Sequence, residues 1–123
     1  MAAAGHGVQR VVQAYLQDLS VPYRAVADGE WGLVLDPVGG RPLEVGLRLA
    51  GGLLRAQAWV APAGRSDPHL LLHRNRLGVL ARYAHSAAGE VHVHAELPER
   101  AVAPAELDRL LAALVELAEL ARV

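Results

Sequence analysis

The chain contains no cysteine and no phenylalanine, and lysine, isoleucine and threonine are missing as well. Without thiols it forms no disulfide, no thiolate metal site and no cysteine nucleophile. An excess of charge of either sign is also lacking: twelve arginines stand against thirteen acids, for a formal net charge of −1. Phosphate binding needs a net basic surface, so nucleic acid and anionic membranes are set aside as partners. Apolar runs long enough to span a bilayer are absent. The start from Met1 to Gly7 has neither the charged end nor the apolar core of a secretion signal, which makes the cytoplasm the expected compartment.

What is present is apolar periodicity. With 123 residues, of which 53% are hydrophobic, the chain is expected to form one domain over residues 1–123 around a single core, with residues 1–7 disordered. Val8, Val11, Val12, Tyr15, Leu16 and Leu19 fall on one stripe of a 3.6-residue period and predict a helix over 8–19 that Val21-Pro22 ends. A short extended piece at Tyr23 to Ala27 leads through the Asp28-Gly29 turn into a strand from Trp31 to Asp36. Leu43, Val45, Leu47 and Leu49 alternate with Glu44, Gly46 and Arg48, and the Gly51-Gly52 reversal makes Leu53 to Val60 the hairpin partner.

Asp67 is placed as an N-cap, with Pro68 at the first position of a second helix that runs to about Arg76. Gly78 is the expected left-handed residue closing it. Val79 to His85 and Val91 to Leu97 read as a second hairpin, Pro98 to Ala103 as a linker, and Pro104 as the start of a last helix. That helix carries its apolar stripe on Leu107, Leu110, Leu111, Leu114, Leu117, Ala118 and Ala121, with Arg122 near its negative end. The predicted class is α+β, in the order α-β-β-β-α-β-β-α, an antiparallel sheet with helices packed on it.

Six histidines raise the question of metal. His92 and His94 share one strand face and point the same way, and a two-residue turn at Ala88-Gly89 would bring His85 opposite His92 as a third ligand. That register would send Val79, Ala81 and Tyr83 to the histidine side. A longer, odd-numbered loop places them with Val91 and Val93 in the core and puts Arg82 with His92, His94 and Glu96 on the wet face. The odd loop is preferred, and a metal-binding or metal-sensing role for His92 and His94 with His85 or Glu96 stands as the alternative. His69 and His73 are four apart on the second helix but have no following carboxylate at a ligand spacing. Ser20, Ser66 and Ser86 lie in no Gly-x-Ser-x-Gly elbow, and Gly39-Gly40 and Gly51-Gly52 lack a phosphate-loop continuation. No catalytic residue and no cofactor is expected.

The informative feature is surplus apolar surface. Leu70, Leu71 and Leu72 are consecutive on a helix and span about 200° of arc, more than one sheet covers. The second helix is therefore expected to pack a second copy of the chain, with the seam at Leu70, Leu71, His73 and Arg74. Leu110, Leu117 and Leu120 broaden the last helix beyond one stripe and Trp59 sits on the partly polar face of its strand, so these are candidate contact points for another chain.

The order of elements, together with Trp31-Gly32-Leu33-Val34-Leu35-Asp36, Leu71-Leu72-His73-Arg74-Asn75, Gly89-Glu90-Val91-His92-Val93, Leu97-Pro98 and the Leu-rich closing helix, resembles the type III secretion chaperone-like fold. Within it, the strings are similar to the YbjN-like bacterial sensory transduction regulator family. The resemblance implies a small homodimeric α+β protomer that acts by holding another protein, an unidentified partner protein or peptide wrapped around apolar patches at Val12, Leu16 and Trp59, with no catalytic residues to transfer. The near-neutral charge departs from the acidic character typical of secretion chaperones and argues against dedicated escort of secreted effectors.

Overall fold

A computed structural model describes residues 2–123, with side chains from Gly7 onward. Helix α1 spans Ala2–Leu19. It already covers residues 2–7, which the sequence reading leaves disordered, and a run of alanines is the strongest local helix former. Met1 and the side chain of His6 lie outside the described residues. Ser20 ends the helix in a left-handed conformation, φ 59°.

Four consecutive strands follow: β1 (Tyr23–Ala27), β2 (Glu30–Val38), β3 (Arg41–Ala50) and β4 (Leu53–Ala61). The sequence had suggested three, with Tyr23 to Ala27 merely extended. That segment is an edge strand, exposed from Arg24 onward, and so shows no apolar alternation to betray it. β2 also runs past its expected end, because a register shift between Leu35 and Val38 accommodates Pro37, which has no N–H to give to a ladder. Gly29, Gly39, Gly40, Gly51 and Gly52 supply the positive φ that the three tight reversals need.

Helix α2 (Pro68–Leu77) begins as expected: the Asp67 carboxylate accepts from the His69 N–H and Pro68 opens the first turn. Its end differs. Gly78 is extended, at φ −81°, and the left-handed residue is Leu80, φ 73°. β5 therefore starts at Ala81 rather than Val79 and runs to His85, followed by β6 (Val91–Pro98), a 3-10 turn (Glu99–Ala101) and α3 (Pro104–Arg122).

All strands join one antiparallel six-stranded sheet in the order β1-β2-β3-β4-β6-β5. The chain leaves β4, crosses through α2 to the far edge as β5, and returns to place β6 between β5 and β4. The last hairpin has the odd register, with Tyr83 opposite Val93 and Arg82 opposite His94.

The core lies on one face. Leu33, Leu43, Val45, Leu54, Val60 and Val93 from the strands meet Leu107, Leu110 and Leu114 of α3, with Val12 and Leu16 of α1 beside them. The Tyr15 hydroxyl donates to the Asp108 carboxylate at 2.6 Å, tying α1 to α3, and burial with that carboxylate pushes the phenol pKa up. Arg122, expected only as a cation near the helix end, is buried instead. Its guanidinium donates to the carbonyls of Val60 (2.9 Å), Val38 (2.9 Å), Arg41 (3.1 Å), Pro42 (3.3 Å) and Trp59 (3.3 Å). These carbonyls belong to the β2–β3 turn and the end of β4, so one side chain pins α3 to the middle of the sheet. Gly39 must be glycine here: its φ is +62° and a Cβ would sit 2.5 Å from Arg122 Cβ.

Candidate partner-binding surfaces

The structure sorts the expected contact residues into buried and free. Val12 and Leu16 are 0% exposed, and their stripe is consumed by the protomer's own core. They are not surfaces for a partner. Apolar periodicity marks a face that must be covered, and here α3 and the sheet cover it. Trp59 is half-buried on the outer side of β4, but its indole N–H already donates to Glu90 Oε2 at 2.9 Å and the Arg41 guanidinium lies 5.6 Å from its ring centre.

On α2, only Leu71 is buried, at 5% exposure, which removes it from the expected seam. The helix packs mainly on β5 and buries one residue's width. Leu70 and Leu72, about 100° to either side, are exposed on opposite flanks, Leu72 at 67%, and Leu77 at 70% and Val79 at 81% are exposed beyond them. His73 is exposed and Arg74 half-buried. Surplus apolar surface on this helix is therefore present, but it sits on Leu70, Leu72, Leu77 and Val79.

The same helix finishes one edge of the sheet. Asn75 donates through Nδ2 to the Tyr83 carbonyl at 3.0 Å and accepts the Tyr83 N–H at Oδ1, 2.6 Å. A side-chain amide thus takes the place that another strand would occupy beside β5. Sequence reasoning passed over Asn75; an asparagine in the last turn of a helix, where it is a poor helix former, was the available signal.

At the opposite edge β1 pairs with β2 on one side and, among the described residues, with no strand on the other. Between α1 and this edge runs a groove of about 420 Å³, with Ala25, Ala27 and Trp31 in its floor and Gln9, Arg10, Gln13 and Asp28 as its polar walls. Gln13 shapes it. Its Oε1 accepts from the Trp31 indole N–H at 3.0 Å and its Nε2 donates to the Tyr23 hydroxyl at 3.2 Å, so the helix is fixed to β1 and β2 by polar tethers. The methyl side chains of Ala25 and Ala27 then leave a gap that larger residues would fill. An apolar floor beside free strand groups suits an extended segment that pairs with β1 and turns alternate side chains into the groove.

The histidines do not assemble into a metal site. The rings of His92 and His94 lie edge to face, 6.3 Å between centres, on the outer side of the sheet. His85 pairs with Val91 at the end of β5 and shares the side of Tyr83, the opposite face. Glu96 is engaged by Arg82 at 3.1 Å and Arg55 at 3.7 Å. Burial, Arg82 and His92 together push the His94 pKa down, against the opposing pull of Glu96, so the neighbourhood disfavours added positive charge. Among the described residues no group of three or more His, Cys, Asp or Glu side chains is placed to hold a metal ion.

Among the described residues no helix is long and apolar enough to cross a membrane. No protein-family model matches the chain, and no curated protein matches it in sequence. Solved structures do match in fold. The chain is similar to one in the ExsC–ExsE complex, at TM-score 0.75 and 18% identity, covering 95% of this chain and 92% of that one. It is similar to one in the HopA1–SchA chaperone–effector complex, at TM-score 0.74 and 16% identity, covering 93% and 91%. A third likeness is to the type III secretion chaperone SycH of Yersinia pestis in complex with a stable fragment of YscM2, at TM-score 0.71 and 14% identity, covering 90% and 96%. The chain has the α+β fold of the type III secretion chaperones.

Proposed function

We propose that the chain is a non-enzymatic, cytoplasmic protein-binding module that holds an extended segment of another protein at the β1 edge and the α1 groove, and works as a homodimer. The observation that carries this reading is the contrast between a β5 edge closed by Asn75 and a β1 edge left open beside a preformed groove. An unpaired edge strand invites pairing with another chain, and proteins without such a partner normally protect it. Structural neighbours solved in complexes with partner proteins support the same role. The near-neutral charge supports a regulatory setting, as in a YbjN-like regulator, over dedicated effector escort. The exposed Leu70, Leu72, Leu77 and Val79 on and just after α2 support a second copy as the cover of α2.

The two surfaces are tested separately. Ala27→Trp fills the groove from an exposed position; it should leave the circular dichroism spectrum and melting temperature unchanged and abolish retention of the partner from native extract. Undiminished retention would overturn the groove. Leu72→Glu should halve the mass by light scattering while the protomer stays folded, and an unchanged mass would overturn the seam.

A further inference from the structure

Tyr83 of β5 lies between α2 and α3. Its hydroxyl donates to the Leu117 carbonyl of α3 at 2.7 Å. Burial pushes the phenol pKa up, Arg74 of α2, hydrogen-bonded to it, pulls it down, and Glu116 of α3 pushes it up. The side of α2 that carries Arg74 is therefore the side turned to α3.

The charges that the two helices turn to solvent are of opposite sign. From Pro68 to Leu77, α2 carries Arg74 and Arg76 and no acid. In the second half of α3 the exposed charges are Glu116 and Glu119, since Arg122 is buried against the sheet. Among the described residues Arg76, Glu116 and Glu119 make no ion pair.

An exposed leucine accompanies each charge at the same spacing. Leu72 and Arg76 are four residues apart on α2, and Glu116 and Leu120 four apart on α3, so each pair shares one helix face. Of the leucines that broaden α3, Leu110 is buried and Leu117 half-buried, which removes them as contact points, while Leu120 is 45% exposed.

The two faces complement each other when the helices run antiparallel, with Leu72 against Leu120 and Arg76 against Glu116. Within one protomer they cannot meet. Leu72 and Arg76 each stand two residues from Arg74, about 160° round the helix, and so point away from their own α3. A two-fold axis makes both contacts at once, because each copy brings one face of each kind. Laying α2 on α2 through this flank would instead set the arginines of one copy against those of the other.

We propose that a second copy covers α2 with the C-terminal half of its own α3, Leu72 and Arg76 of each copy meeting Leu120 and Glu116 of the other. The inference rests on the reading of the chain as a homodimer and names the surface that completes it.

Arg76→Glu and Glu116→Arg, made separately at exposed positions, should leave the circular dichroism spectrum unchanged. In analytical ultracentrifugation each variant alone should dimerise about tenfold more weakly than wild type, because both of its contacts become like-charged. Mixed in equal amounts, the two should form a heterodimer of near wild-type affinity, in which both contacts are again opposite in sign. An effect exerted inside one protomer would not be undone by mixing. Leu120→Glu, which leaves α2 untouched, should also weaken the dimer by about tenfold. Single variants that dimerise as wild type does, or no gain on mixing, would overturn the α2–α3 pairing and leave the homodimer standing. A wild-type chain that stays monomeric at every concentration would overturn the homodimer and the pairing with it.

Discussion

At one edge of the sheet β5 has α2 alongside it, and the Asn75 amide answers both backbone groups of Tyr83; at the other, β1 has α1 nearby but not on it, held off by Gln13 through Trp31 and Tyr23. Both devices are a single side-chain amide making two hydrogen bonds, and they do opposite things. Asn75 satisfies the outward backbone groups of Tyr83 and takes the middle of that edge out of use. Gln13 satisfies other side chains, so the helix is anchored and the strand edge stays free. The placing of one amide decides whether an edge is a finished surface or a binding surface.

The comparison can be broken from its centre outward. Arg122→Met deletes the guanidinium shared by the β2–β3 turn and β4, leaving buried carbonyls without donors, and should cost about 3–4 kcal/mol in urea unfolding with both edges loosened alike. A loss below about 1 kcal/mol would show that water replaces the clasp. Asn75→Ala should cost about 2 kcal/mol and, unlike any change at β1, create a second open edge, seen as concentration-dependent association in light scattering. Gln13→Leu should cost about 1 kcal/mol and release Trp31, read as a shift in tryptophan fluorescence with no new association. If Gln13→Leu and Asn75→Ala behave identically, the two edges are not distinguished as argued.

The smallest effect is electrostatic and lies nearer the closed edge. The folded His94 pKa is depressed below 6.5, so the unfolded chain binds the proton more tightly and the contribution to stability is present above that value. It is lost as pH falls from about 6.5 through the folded pKa, and His94→Gln should flatten this part of the stability profile. An unchanged slope between wild type and variant would assign the dependence to other groups.

Much of the fold was legible because it rests on local rules. The Asp67–Pro68 helix start, the glycine reversals and the odd register of the last hairpin follow from capping, φ and side-chain alternation. The site was less so. The stripe through Val12 and Leu16 announces that it must be buried without saying whether by this chain or another, and α3 turned out to be the cover. Three consecutive leucines correctly signalled more apolar surface than α2 can bury, yet which of them faces β5 depends on the helix's rotation. β1 lacks alternation because it is exposed, and the Arg122 clasp and Asn75 cap join residues far apart in sequence or separated by a turn, which no local pattern reports.

Amide hydrogen exchange on the chain alone, and on the chain with the protein it retains from native extract, puts the open edge to the test. Strong new protection is expected across Tyr23–Ala27 and at Gln9 and Gln13, with Tyr83 unchanged because Asn75 already holds its N–H. New protection confined to β5 and α2, with β1 still exchanging freely in the complex, would contradict it.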